Sequence, residues 1–141
     1  RFGWKPSRTM RVAQSLYEAG HITYMRTDNP VLSTEATTAL KGFVRNNYGE
    51  EYIASQASLE ERAKARKRPV NAQEAHEAIR PSGLHFSPSI AGVDEDAAKL
   101  YAMIWSRTVA SAMADAIVER TQVAVEVSAE LPDEADPSQS S

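Results

Sequence analysis

The chain has 141 residues, a formal net charge of −3, 42% hydrophobic residues and no cysteine. That length fits one domain able to bury a real core. The missing thiols exclude a disulfide framework and thiolate metal sites, and no apolar run approaches the ~20 residues of a membrane span. The negative charge lies at the end. From Ser128 on there are four acidic residues (Glu130, Asp133, Glu134, Asp136) and no basic one, whereas residues 1–127 carry 16 basic against 15 acidic side chains. The first residue is Arg1, not Met, in sequence that already reads as folded, so a piece of a larger, cytoplasmic protein is expected.

Residues 8–19 predict a helix with Ser7 as N-cap, on which Thr9, Ala13, Leu16 and Tyr17 recur near helical spacing. Gly20 suits the left-handed position that ends a helix. The run His21-Ile22-Thr23-Tyr24-Met25-Arg26-Thr27-Asp28 then reads as a short strand, broken by Asn29-Pro30. A second helix is predicted over 34–47, capped by Ser33, with Ala36, Ala39, Leu40, Phe43 and Val44 as its core stripe.

Residues 50–70 are polar and weakly periodic, a loop or short helix. Asn71 and Glu74 form a capping-box pattern opening a short helix that ends before Pro81, and 81–92 reads as loop. Asp94-Glu95-Asp96 starts a long helix over about 95–113, with Leu100, Tyr101, Ile104, Trp105 and Val109 as its buried face. Val123, Val125 and Val127 alternate with polar neighbours as in a half-buried strand, and 128–141 has the composition of a mobile acidic tail. The expected class is mainly α with a short β element (α+β), a winged-helix-like grammar of helix, Gly turn and strand.

Two segments carry chemistry. In a strand, side chains alternate, so Ile22, Tyr24 and Arg26 would share one face, with Tyr24 and Arg26 roughly 6.6 Å apart along it. A tyrosine can attack phosphorus and hold it as a phosphodiester, and arginine offers a planar fork matched to phosphate oxygens. The ordinary pKa of tyrosine, near 10, leaves about one molecule in a thousand as phenolate at pH 7. A neighbouring cation favours that form and stabilises charge on the phosphorane. The bland alternative is a strand tyrosine with a solvated neighbour. The second segment is Gln73-Glu74-Ala75-His76-Glu77-Ala78-Ile79-Arg80-Pro81. If it is helical, Gln73, His76 and Arg80 share a face suited to phosphates or bases; equally, His76 could be a surface histidine. The zinc-protease pattern is absent, since Arg80 stands where a second His would be needed, and no Asp or Glu pair looks like a magnesium site. Lys64, Arg66, Lys67 and Arg68 read either as a solvated loop or as a phosphate-facing patch.

Three motifs together bear a resemblance: Thr9-Met10-x-x-Ala13-Gln14-x-Leu16-Tyr17-Glu18, then Gly20-x-Ile22-Thr23-Tyr24-Met25-Arg26-Thr27-Asp28, then Gln73 to Pro81. With a weaker match at Lys99-Leu100-Tyr101-x-x-Ile104-Trp105, the chain resembles the tyrosine-bearing domain of bacterial type IA DNA topoisomerases over residues 9–105 or so. Met25 favours the topoisomerase I branch, where the topoisomerase III branch typically has proline. The resemblance implies an isomerase that relaxes negatively supercoiled DNA: Tyr24 cleaves single-stranded DNA through a 5′-phosphotyrosine link, a strand passes, and the break is religated. It implies catalytic roles for Tyr24 and Arg26 and DNA contacts from Arg26, Thr27, Asp28, Gln73, His76 and Arg80. It further implies magnesium and further acidic residues in another domain, with no metal held by this fragment, which is expected to be inactive alone. Residues 1–120 would be the mobile nucleophile gate and 121–141 the return strand toward an arch domain plus the tail. The implied partners are single-stranded DNA and the remaining domains of one polypeptide, in a monomer near the bacterial nucleoid. Asn29 departs from the family, which usually has Ser there; both can cap a turn. The rival reading is a non-catalytic winged-helix module that holds single-stranded DNA, with Tyr24 as a stacking platform.

Overall fold

Pro6 opens helix α1 (Pro6–Glu18) from its first helical position, where its fixed φ and missing N–H cost nothing. Lys5 therefore stands at the N-cap and Ser7 lies inside the helix, which starts two residues before the expected position. The computed structural model describes residues 2–66 and 77–128. Gly20, at φ +79°, closes α1: its N–H donates to the Tyr17 carbonyl and that of His21 to the Leu16 carbonyl, each at 2.9 Å. These are the two bonds of a Schellman turn, a conformation glycine adopts at no steric cost.

Helix α2 (Thr34–Asn47) follows the sequence expectation, with Ser33 Oγ accepting the Ala36 N–H at 3.1 Å. Ala36, Leu40 and Val44 are fully buried on its inner face. The polar stretch after it resolves into a 3-10 turn at Glu50–Tyr52 and helix α3 (Gln56–Ala65), capped by Ser55. Helix α4 (Glu95–Ser111) is capped by Asp94, whose side chain accepts the Ala97 N–H. It ends two residues short of the expected limit. Met113 there pairs with Ile53, and the carbonyl of Ala112 accepts the Ala54 N–H at 2.9 Å. Arg62 of α3 donates to the carbonyls of Ser111 and Met113, satisfying groups that a helix C-terminus leaves orphaned.

α4 is the spine of two adjoining cores. Its first half packs Ala97, Leu100 and Tyr101 against Val12, Ala13 and Leu16 of α1, with Ile22 and Met25 from the following loop. Its second half packs Val109 and Ala112 against Leu40 and Val44 of α2, with Phe86 between them, and Trp105 touches both cores.

The β expectations are corrected. Among the described residues there is no strand, only the isolated antiparallel bridges Ile22–Pro81 and Ile53–Met113. In the Tyr24 run the buried residues are Ile22 and Met25, three apart, so the chain coils where strict alternation was expected. Tyr24 and Arg26 are exposed while Ile22 faces the core. Val123, Val125 and Val127 form no strand and are 74–89% exposed, because no second segment offers a ladder among the described residues. The capping box at 71–74 lies outside the described residues. Residues 77–80 are not helical: their backbone groups pair sideways with the Tyr24 loop, and Pro81 disfavours helical geometry at Arg80.

Phe86 is the one non-glycine residue with positive φ among the described residues, at +46°. It is 1% exposed, its ring meets Phe43 edge-on at 6.0 Å, and its carbonyl accepts the Trp105 indole N–H at 2.6 Å. Left-handed backbone at a bulky residue is strained, and here the second core holds it in place. Phe86→Ala is expected to lower stability by about 3–5 kcal/mol, read as a fall in the urea midpoint at unchanged slope. A midpoint near the parent's would mean that Phe86 does not tie α2 to α4.

Candidate active site around Tyr24

Two loops converge on Tyr24. The first leaves the Gly20 turn, and the second is the segment 77–83. Thr23 joins them with three hydrogen bonds: its N–H donates to the Arg80 carbonyl at 2.9 Å, its hydroxyl donates to the Ala78 carbonyl at 3.0 Å, and its hydroxyl oxygen accepts the Arg80 N–H at 2.9 Å. The Ser82 N–H reaches the His21 carbonyl on one side, and the Ala78 N–H reaches the Val31 carbonyl further along. Beneath this seam Ile22 and Met25 insert into the first core. Tyr24 is thus presented between two buried anchors, with its own ring about one-third exposed.

Tyr17, in the last turn of α1, meets the Tyr24 ring edge-on at 5.2 Å and 67°. Such pairs are worth about 0.5–1.5 kcal/mol, enough to favour one orientation of the Tyr24 ring. The sequence gives Tyr17 only as part of an apolar helix face. Its signal is local: a tyrosine three residues before a helix-ending glycine and seven before a second tyrosine.

Arg26 is exposed, beside the outer face of α1. Thr27 is half-buried and its hydroxyl accepts the Asn29 N–H at 3.1 Å, while Asp28 points to solvent. The Asn29 side-chain oxygen accepts the Val31 N–H at 3.0 Å, an Asx turn that does the capping a serine could do. Tyr24, Arg26 and Asp28 are thus all exposed, while Thr27 serves the turn between them.

Arg80 is elsewhere. It is buried, and its guanidinium donates to both Glu77 carboxylate oxygens, at 2.8 and 3.2 Å, and to the carbonyls of Pro81 and Gly83, each at 2.9 Å. Glu77 also accepts the Ser33 N–H at 3.1 Å, tying this clasp to the start of α2. Burial pushes the Glu77 carboxyl up, but the bonds from Arg80 and Ser33 outweigh it and hold the group below the usual carboxylate range. The shared helical face of Gln73, His76 and Arg80 is not formed at its Arg80 end; Gln73 and His76 lie outside the described residues. Among the described residues there is no group of three or more His, Asp or Glu that could hold a metal ion. No helix among the described residues is long and apolar enough to cross a membrane.

The comparisons with known proteins bear on the same residues. A family model described as DNA topoisomerase matches residues 1–135. The chain belongs to the DNA topoisomerase family. It is 46% identical over 126 residues to DNA topoisomerase 1 of Vibrio cholerae, covering 89% of this chain and 14% of that protein. To DNA topoisomerase 1 of Streptomyces coelicolor it is 50% identical over 117 residues, 82% of this chain and 12% of the relative. The full-length topoisomerase I structure from Thermotoga maritima superposes with a TM-score of 0.62 at 34% identity, over 81% of this chain and 18% of that one. The chain therefore spans about one-seventh of these topoisomerases, and its fold is the corresponding piece of theirs.

Two predictions follow from the seam. Thr23→Val keeps the shape but removes the hydroxyl, leaving the Ala78 carbonyl and Arg80 N–H without it; a loss of about 1–3 kcal/mol is expected in denaturant unfolding, and a neutral result would show that the clamp is replaceable. Because Glu77 titrates below its unfolded value, its contribution is fully present above the unfolded pKa and fades as pH falls through the folded one. The stability difference between the parent chain and Glu77→Gln should therefore hold down to about pH 5 and shrink as pH is lowered through about 4 and below. A difference that grows in acid would reverse the assignment.

Proposed function

We propose that this chain is the nucleophile-bearing gate, residues 1–120, of a type IA DNA topoisomerase that relaxes negatively supercoiled DNA. The Tyr24 oxygen attacks a backbone phosphorus of single-stranded DNA. A phosphotyrosine bond to the 5′ phosphate forms as the bond to the 3′ oxygen breaks; the phenol gives up its proton and the leaving oxygen takes one. Arg26 steadies charge on the phosphorane oxygens. The gate carries the 5′ end away while another strand passes, then returns for religation by the reverse attack.

The observation that carries the reading is the exposure of both Tyr24 and Arg26 beside the buried anchors Ile22 and Met25 in a chain of this family. Magnesium and the proton donor to the leaving oxygen come from the rest of the polypeptide, with residues from 121 on leading toward it. Thr27, Asp28, Gln73, His76 and Arg80 belong to the proposed DNA path, with Arg80 acting through the clasp that holds the seam. The working protein is a cytoplasmic monomer.

The test mixes this chain with a polypeptide supplying the remaining length of such a topoisomerase, magnesium and a labelled single-stranded oligonucleotide. A covalent adduct at Tyr24 is expected, absent in Tyr24→Phe and formed about 10²-fold more slowly in Arg26→Gln. Assembly of the two polypeptides without any adduct would sink the proposal. Oligonucleotide binding that survives Tyr24→Phe with no adduct under any condition would favour the non-catalytic binding module.

A further inference from the structure

Among the described arginines, four have a carboxylate partner and five, Arg11, Arg26, Arg66, Arg107 and Arg120, have none. Arg8, Arg45, Arg62 and Arg80 each have a carboxylate partner: Asp96, Glu50, Asp115 and Glu77. Arg11 and Arg26 have neither a carboxylate nor a carbonyl partner among the described residues, yet they line the same open cleft of about 500 Å³. One wall of that cleft is the solvent face of α1. Ser7, Arg11, Gln14, Ser15 and Glu18 fall there at spacings of four, three, one and three residues, a single helical side. The other wall is Arg26, arriving from the loop that carries Tyr24.

Two like charges facing one cleft favour an anion between them. Glu18, the carboxylate of the cleft lining, accepts the Gln14 amide at 2.9 Å and forms no ion pair with either arginine among the described residues. The Ser7 and Ser15 hydroxyls add neutral donors. An anion with several acceptor oxygens, reached from two sides by planar forks, matches this arrangement. Arg26 also joins the cleft to the loop that carries Tyr24.

We propose that Arg11 grips a second backbone phosphate of the single strand, on the outer face of α1, with Arg26 standing between it and the phosphate that Tyr24 attacks. The inference deepens the function proposed above and rests on it for the identity of the strand. Arg11 is then a substrate-binding residue that no motif of the sequence marks, on the solvent face of α1.

The experiment measures binding of a labelled oligothymidylate to the 141-residue chain by fluorescence anisotropy between about 50 and 200 mM salt. Arg11→Gln should weaken binding several-fold at low salt and reduce the slope of log affinity against log salt by about 0.7, the value for one phosphate of a single strand. Arg45→Gln, at an arginine taken by Glu50, should change neither. Arg11 is exposed, so both variants should keep the parent's circular dichroism. An Arg11→Gln chain that tracks the parent in affinity and slope overturns the proposal. So does inorganic phosphate that displaces the strand completely at matched ionic strength, which would make the cleft a free-phosphate site. An effect confined to assembly with the remaining polypeptide would make it a protein contact and overturn it too. The adduct assay reports on Tyr24 separately: a reduced slope without any adduct keeps this subsite and removes the nucleophile reading, and an adduct indifferent to Arg11 does the reverse.

Discussion

The seam made by Thr23 is the constraint on which the Tyr24 site depends. One residue closes three hydrogen bonds to a segment 55 to 57 positions away, and the backbone bonds on either side run through the same join. At about 1 kcal/mol net for each bond, the three contribute a sizeable share of a small domain's stability. Their larger effect is geometric. They fix the backbone immediately before Tyr24, while Met25 fixes it immediately after. A side chain on a loop gains from this what one on a helix has already, a defined position, which is what the proposed attack by Tyr24 would need.

That seam is in turn held by the helices, through α4. Its two halves face different cores, so α1 and α2 need little direct contact with each other. The first core receives Ile22 and Met25; the second receives Phe86, a few residues beyond Pro81. Both loops that meet at Thr23 are therefore pinned to the same helix at their far sides. The Glu77–Arg80 clasp adds a tie to the start of α2 through the Ser33 N–H. Disturbing either core should move the seam, and with it the direction in which the phenol points.

What the sequence makes legible follows from the range of the interactions. Ser33 and the stripe Ala36, Leu40, Val44 lie within a few residues of one another, so α2 is readable, cap included. The Gly20 turn is readable for the same reason. The segment around Tyr24 is not, because its partner is 55 residues away: alternation alone suggests a strand, whereas the bonds to Ala78 and Arg80 leave room for one bridge only. The helix expected before Pro81 fails in its described part on the other half of that pairing. Val123, Val125 and Val127 carry a strand pattern without a strand, since a pattern states which side could be buried and not what buries it. Tyr24 and Arg26 are both exposed, but not by the alternation that set Ile22 on their face: Ile22 and Met25 turn inward together. The places of Tyr17 and Arg11 are not legible, because they depend on where the loop lies against α1.

Arg26 and Arg80 show why residue type alone does not assign a phosphate contact. Both are arginines in family motifs, and both read as DNA-facing in the sequence. A buried guanidinium is tolerated only when paired and fully hydrogen-bonded, and Arg80 meets that condition through Glu77, Pro81 and Gly83. Bringing a phosphate to it would mean breaking the clasp and leaving the Glu77 carboxylate half-buried without its cation, a change felt at the first turn of α2. Arg26 has no such commitment among the described residues and keeps its donors in solvent. In the proposed reaction a phosphate at Tyr24 would gain a charge-assisted fork from Arg26 at the cost of displaced water alone. The proposal thus puts charge stabilisation on the arginine without a partner among the described residues, while the other holds the loop beneath the tyrosine still.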